Sequence, residues 1–99
     1  MSKATLRQEG VEFDDFITPW SEIVAVSGYK LDCMTEILTY VTFEHECGEH
    51  FELENGAEGF DEVVSRLHTF LDIPSDWFAA IERCSPDDDP VDIWTRPST

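Results

Sequence analysis

Residues 35–54, "TEILTYVTFEHECGEHFELE", decide the fold. Thr35 to Phe43 is dense in β-branched and aromatic residues, which suit a pleated, half-buried surface. Phe43 and Phe51 each continue an apolar alternation, so both should face the core. Between them Gly48 is the residue that accepts the positive φ a three-residue hairpin loop needs. The stretch predicts a hairpin with the loop Glu46-Cys47-Gly48, pairing Phe43 with Phe51, Glu44 with His50 and His45 with Glu49.

The same parity bears on chemistry. His45, Cys47 and His50 are ligand types for zinc, which needs several N or S atoms converging on one point. Alternation sends His45 to the face of Phe43 and His50 to the opposite one, with Cys47 at the tip. No metal site is expected. Nucleophilic catalysis by Cys47 would need a base, an oxyanion site and a cleft. A hairpin tip predicts no cleft, and the surrounding glutamates disfavour a thiolate. No catalytic residue and no cofactor are expected.

Upstream, "ATLRQ" and "VEFDDF" alternate about Gly10 and predict a short hairpin, with Val11, Phe13 and Ile17 inward. "ITPWSEI" reads as punctuation, because Pro19 supplies no ladder donor. Ile23–Tyr29 is apolar on both sides at first and reads as a central strand. Downstream, Phe60, Val63, Val64, Leu67, Phe70 and Leu71 form one helical stripe. Pro74 ends it, and Ser75 is expected to cap a second helix over "DWFAAIERC". "SPDDDP" is an acidic linker without the glycine and glutamate of a calcium loop. "VDIWTR" alternates again as a last strand, with Trp94 opposed to Ile93. The expectation is a single α+β domain over residues 1–99. Its antiparallel sheet of about 5–6 strands is covered by two C-terminal helices, with a short final strand.

Residues 20–32, "WSEIVAVSGYKLD", resemble the W-x-E-I … K-x-D opening of a group of small, uncharacterised bacterial proteins. The similarity runs over roughly residues 5–95, through Trp20, Glu22, Ile23, Lys30, Asp32, Thr35, Ile37, Phe43, Gly59, Phe60, Leu67 and Trp77. The W-x-x-I turn is also similar to that of bacterial pleckstrin-homology-like domains. This chain predicts fewer strands ahead of its helix than such a domain, and a second helix. The resemblance implies a fold and brings no activity.

Charge narrows the partners. The chain carries 22 acidic and 6 basic side chains, a net charge of −16. Such a field repels nucleic acid and anionic lipid and attracts basic surfaces. "MSKATLRQEG" has no apolar signal region, no apolar run reaches membrane length, and three scattered cysteines fit a reducing compartment, so the cytoplasm is expected. Eight acids with no Lys or Arg fall between residues 44 and 62: Glu44, Glu46, Glu49, Glu52, Glu54, Glu58, Asp61 and Glu62. They are the expected interaction surface of a non-enzymatic module that binds a basic protein. One version is an inhibitor or immunity-type protein opposing a basic nuclease or toxin. Two alternatives stand beside it. A small-molecule pocket would be built from Trp20, Tyr29, Lys30 and Asp32. Adaptation to high salt suits a chain with only two lysines and would need no partner at all.

Overall fold

The computed structural model describes residues 3–96. Seven strands form two antiparallel sheets. β1 (Ala4–Leu6), β2 (Gly10–Phe13) and β3 (Phe16–Pro19) make a three-stranded meander. β4 (Ile23–Asp32), β5 (Ile37–His45), β6 (His50–Glu54) and β7 (Val91–Thr95) make a four-stranded sheet in the order β6-β5-β4-β7. The α+β class is as expected. The single sheet is not, because the N-terminal hairpin joins β3 in a layer of its own. The punctuation assigned to residues 17–23 is in fact β3 followed by a 3-10 turn, Trp20–Glu22. Pro19 is tolerated there because β3 is an edge strand at its last residue.

The layers meet at Phe13. Its ring lies edge-on to Phe43 at 5.4 Å and flat against Phe51 at 5.3 Å. Aromatic pairs of this kind contribute about 0.5–1.5 kcal/mol beyond the area they bury. Val11, Phe13, Ala4 and Leu6 fill the inner face of the small sheet, and Val26, Val41, Phe43 and Leu53 that of the large one. Ile17 is exposed rather than inward. The turn at Asp14–Asp15 pairs Phe13 with Phe16, so alternation places Thr18 opposite Val11 and buries it instead.

β4 is central, as its apolar run predicted. Ile23 and Val26 are both buried although they differ in parity. The register shifts between Ile23 and Ala25, and the extra residue turns the strand over. The β5–β6 hairpin has the predicted register, with Phe43 opposite Phe51 and Glu44 opposite His50. Gly48 has φ +97°. The last three β4–β5 pairs, Lys30–Thr39, Leu31–Leu38 and Asp32–Ile37, run past the ladders of β6 and β7 as a two-stranded ribbon. Leu31, Met34 and Ile37 are exposed on it.

The helices are shorter than the apolar stripe. α1 spans Phe60–Arg66 and tightens into a 3-10 turn, Leu67–Thr69. Ser65 and Thr69 hydroxyls donate to the carbonyls of Glu62 and Arg66, competing with continued α-helix. The stripe still packs: Phe60, Val63, Leu67 and Leu71 are buried. α2 covers Phe78–Glu82, and Ser75 lies outside it without capping it. Both helices lie on the inner side, where Phe60 meets Phe78 and Ile81 sits against Gly28. Trp94 lies opposite Val26, with the Arg96 guanidinium 5.2 Å from its ring. No described helix is long and apolar enough to cross a membrane.

Gly59 admits β1 to the start of α1. It has φ +90°, and a Cβ there would stand 1.8 Å from the Ala4 carbonyl oxygen. Gly56 has open space around it. In urea unfolding, Gly59→Ala should cost about 2–4 kcal/mol, from the left-handed backbone and the clash together. Gly56→Ala should change stability by less than about 1 kcal/mol. Equal effects at the two glycines would refute this role.

Candidate functional site

Strand alternation gives the four-stranded sheet an outer face turned away from the core. Tyr29 pairs with Tyr40, Leu31 with Leu38 and Ser27 with Thr42. Across the next ladder Tyr40 pairs with Glu54, Thr42 with Glu52 and Glu44 with His50. Asp92 of β7 stands opposite Ser27. Every one of these residues is half-buried or exposed, so no described element covers this face.

Its centre is an aromatic pair. The Tyr29 and Tyr40 rings stack at 5.1 Å with 17° between their planes. Tyr29 Oη donates to Glu52 Oε2 at 2.6 Å, and Thr42 Oγ1 lies 3.5 Å from the same oxygen. The stacked rings thus lie beside the carboxylates of Glu52 and Glu54, with Glu44 and Asp92 at strand positions farther along the sheet. Rings present negative π-faces and carboxylates present negative charge, so the arrangement suits cations with apolar stems.

The eight acids divide in space. Glu44, Glu52 and Glu54 belong to the outer face, and Glu46 and Glu49 to the adjoining hairpin tip. Glu58, Asp61 and Glu62 sit on the helix side. There Glu58 lies 3.8 Å from Lys3, and Glu62 accepts from the Leu6 N–H and approaches Arg66 at 3.6 Å. Asp61 borders a shallow depression with Lys30 and Glu82. Sequence proximity grouped these residues, and the turn after β6 separates them.

The expected pocket of Trp20, Tyr29, Lys30 and Asp32 is not assembled. Neighbouring residues on a strand face opposite ways, so Tyr29 is on the outer face and Lys30 on the inner. Lys30 Nζ donates to the Glu82 carbonyl at 2.6 Å. Asp32 accepts from the Met34 N–H in the ribbon turn. Trp20 stacks on Phe70 at 5.0 Å and donates to the Arg7 carbonyl.

At the tip, His45 and His50 take opposite faces, as parity predicted. The His45 side chain, however, turns from Glu49 to Glu22, with Nε2 at 2.7 Å from Oε1. Its Nδ1 lies 2.9 Å from Cys47 Sγ. Nothing in the local pattern pointed to Glu22, which lies 23 positions away. Among the described residues no group of His, Cys, Asp and Glu is arranged to hold a metal ion.

No family model, curated protein or solved structure matches this chain.

The phenols give it a measurable signature. Burial, then the hydrogen bond and charge of Glu52, push Tyr29 up to about 12 from 10.0. Tyr40 is also raised, by burial first and then by Glu54. The folded chain thus keeps the Tyr29 proton longer than the unfolded chain does. The stability linked to it is intact below the unfolded value and is lost as pH rises toward about 12. The chain has two tyrosines. Phenolate absorbance of the folded protein should therefore show the Tyr29 step at about 12, and Glu52→Gln should move that step toward 10.0. A Tyr29 step that Glu52→Gln leaves in place would contradict the assigned contact.

Proposed function

We propose that this chain is a non-enzymatic module that binds a basic protein segment on the outer face of the four-stranded sheet. The observation that carries this reading is the Tyr29–Tyr40 stack, flanked by Glu52 and Glu54, on a face that no described element covers. Arg or Lys side chains laid across it would meet ring faces and carboxylates together. Leu31 and Leu38, at the ribbon end of the same face, would take an apolar residue of the partner. The net charge of −16 would speed encounter and exclude acidic competitors. The same charge opposes self-pairing of two such faces. A basic nuclease or toxin held inhibited by this chain is the specific form that charge and size suggest.

The test uses a synthetic peptide of alternating Arg and Leu, titrated into the isotopically labelled protein. Amide shifts should concentrate at residues 27–31, 38–44 and 50–54, and affinity should fall steeply as salt rises. Tyr40→Ala should weaken binding by about tenfold, the upper part of the range for one cation–aromatic contact. Shifts confined to α1 and α2, or binding indifferent to salt, would overturn the reading. Unfolding in dilute buffer that molar KCl reverses, with no peptide binding, would assign the charge to salt adaptation instead.

A further inference from the structure

The open side of β6 differs from the other strand edges. In the β5–β6 ladder the Asn55 N–H donates to the Thr39 carbonyl at 2.9 Å, and the His45 N–H to the Glu49 carbonyl at 2.8 Å. With the register between them, these bonds fix which pairs exchange hydrogen bonds: Val41 with Leu53, and Phe43 with Phe51. His50, Glu52 and Glu54 therefore turn their backbone groups off the sheet. Their N–H groups have no acceptor among the described residues. Of their carbonyls, that of Glu54 accepts from the Ala57 N–H at 2.8 Å, and those of His50 and Glu52 are left open. The remaining edges are closed or interrupted. On β1 the Ala4 N–H donates to the Glu58 carbonyl and the Leu6 N–H to Glu62 Oε1. β3 ends at Pro19, and the β7 ladder carries a register shift.

The two flanks of the β6 edge also differ. On the outer flank stand Glu52 and Glu54, with His50 exposed beside them. On the inner flank is Phe51, half-buried and stacked on Phe13. Phe16 is the cross-strand partner of Phe13 and shares its inward face, yet it is 76% exposed. β1, on the other side of β2, is tied to the start of α1, so Phe16 lies on the side away from the helices. It projects about one strand spacing, roughly 4.8 Å, past Phe13 with no described element beneath it.

We propose that a basic, extended segment of a partner protein adds to β6 as a fifth strand of the large sheet. Its cationic side chains would lie on the outer flank against Glu52 and Glu54. Its alternate apolar side chains would lie on the inner flank, against Phe51 and Phe16. The proposal rests on the reading of the chain as a binder of basic segments and adds how such a segment is held. Main-chain pairing supplies affinity, and the period of two supplies specificity. Antiparallel addition continues the pattern of the sheet. A second copy of this chain does not fit the edge. Antiparallel pairing of two β6 strands about Glu52 would set Glu52 against Glu52, and like charges directly opposite are destabilising.

The test keeps the wild-type protein and varies the backbone of the peptide. The alternating Arg–Leu peptide is titrated unmodified, N-methylated at every Arg, and N-methylated at every Leu. In an antiparallel added strand the Arg N–H groups face β6 and the Leu N–H groups face solvent. Methylation at Arg should weaken binding by at least about tenfold, and methylation at Leu by less than about threefold. The reverse preference would report a parallel strand on the same edge and would also support the proposal. Hydrogen exchange supplies a second readout. In the free chain the His50 and Glu52 amides should exchange faster than those of Phe51 and Leu53, and the unmodified peptide should slow them at least about tenfold. Equal affinities for the two methylated peptides, with shifts retained at residues 27–31 and 38–44, would overturn the added strand and leave the binding face in place. Failure of the unmodified peptide to bind would overturn both. A dimer of the chain alone, with the His50 and Glu52 amides protected, would assign the edge to a second copy and overturn the proposal.

Discussion

The contact of Phe13 with Phe43 and Phe51 is the constraint on which the rest depends. It joins two sheets that share no ladder, and in doing so chooses the dry face of the larger one. Once Phe43 and Phe51 point inward, alternation fixes every neighbour. Glu44, Glu52 and Glu54 must stand on the other side, with Tyr29 and Tyr40 between strands. Those three carboxylates are thereby set on one surface in a definite pattern. The helices complete the enclosure of the dry side, and Ile81 rests where Gly28 has no side chain.

The hairpin register was legible because two signals agreed. A period of two ran through Phe43 and Phe51, and a glycine stood where the loop needs positive φ. The division into two sheets was not legible. A strand alternates in the same way whichever layer it joins, and only the long-range contact of Phe13 distinguishes them. The parity of Ile23 and Val26 was similarly hidden, since a bulge leaves no mark in a run that is apolar on both faces. The apolar stripe from Phe60 to Leu71 marks a packing surface without marking where the α-helix ends, at Arg66. Its apolar spacing said nothing of the hydroxyls of Ser65 and Thr69.

The candidate sites show the same limit. Glu44, Glu52 and Glu54 are close in sequence to Glu58, Asp61 and Glu62, which the chain turns to the helix side. Tyr29 and Tyr40 lie eleven positions apart on separate strands, and nothing in the sequence alone makes them a pair. Cross-strand pairing is what makes the two a unit. The partner of His45 depended on a 3-10 turn presenting Glu22, a placement that arises from tertiary contact rather than local spacing.

The overhang of the β4–β5 ribbon gives the outer face an open boundary. Lys30 and Thr39 are still held, by the Glu82 carbonyl and by Asn55, but the outer pairs Leu31–Leu38 and Asp32–Ile37 have no strand on either flank and no buried side chain. Such a segment opens at low free energy while the core stays closed. Tyr29 and Tyr40 stand one cross-strand pair below that end, after Lys30–Thr39. Anything seated across the rings and onto Leu31 and Leu38 would suppress that fraying. The ordering entropy of the ribbon would then be part of the free energy of binding, and affinity would depend on how firmly the ribbon is already closed before the ligand arrives.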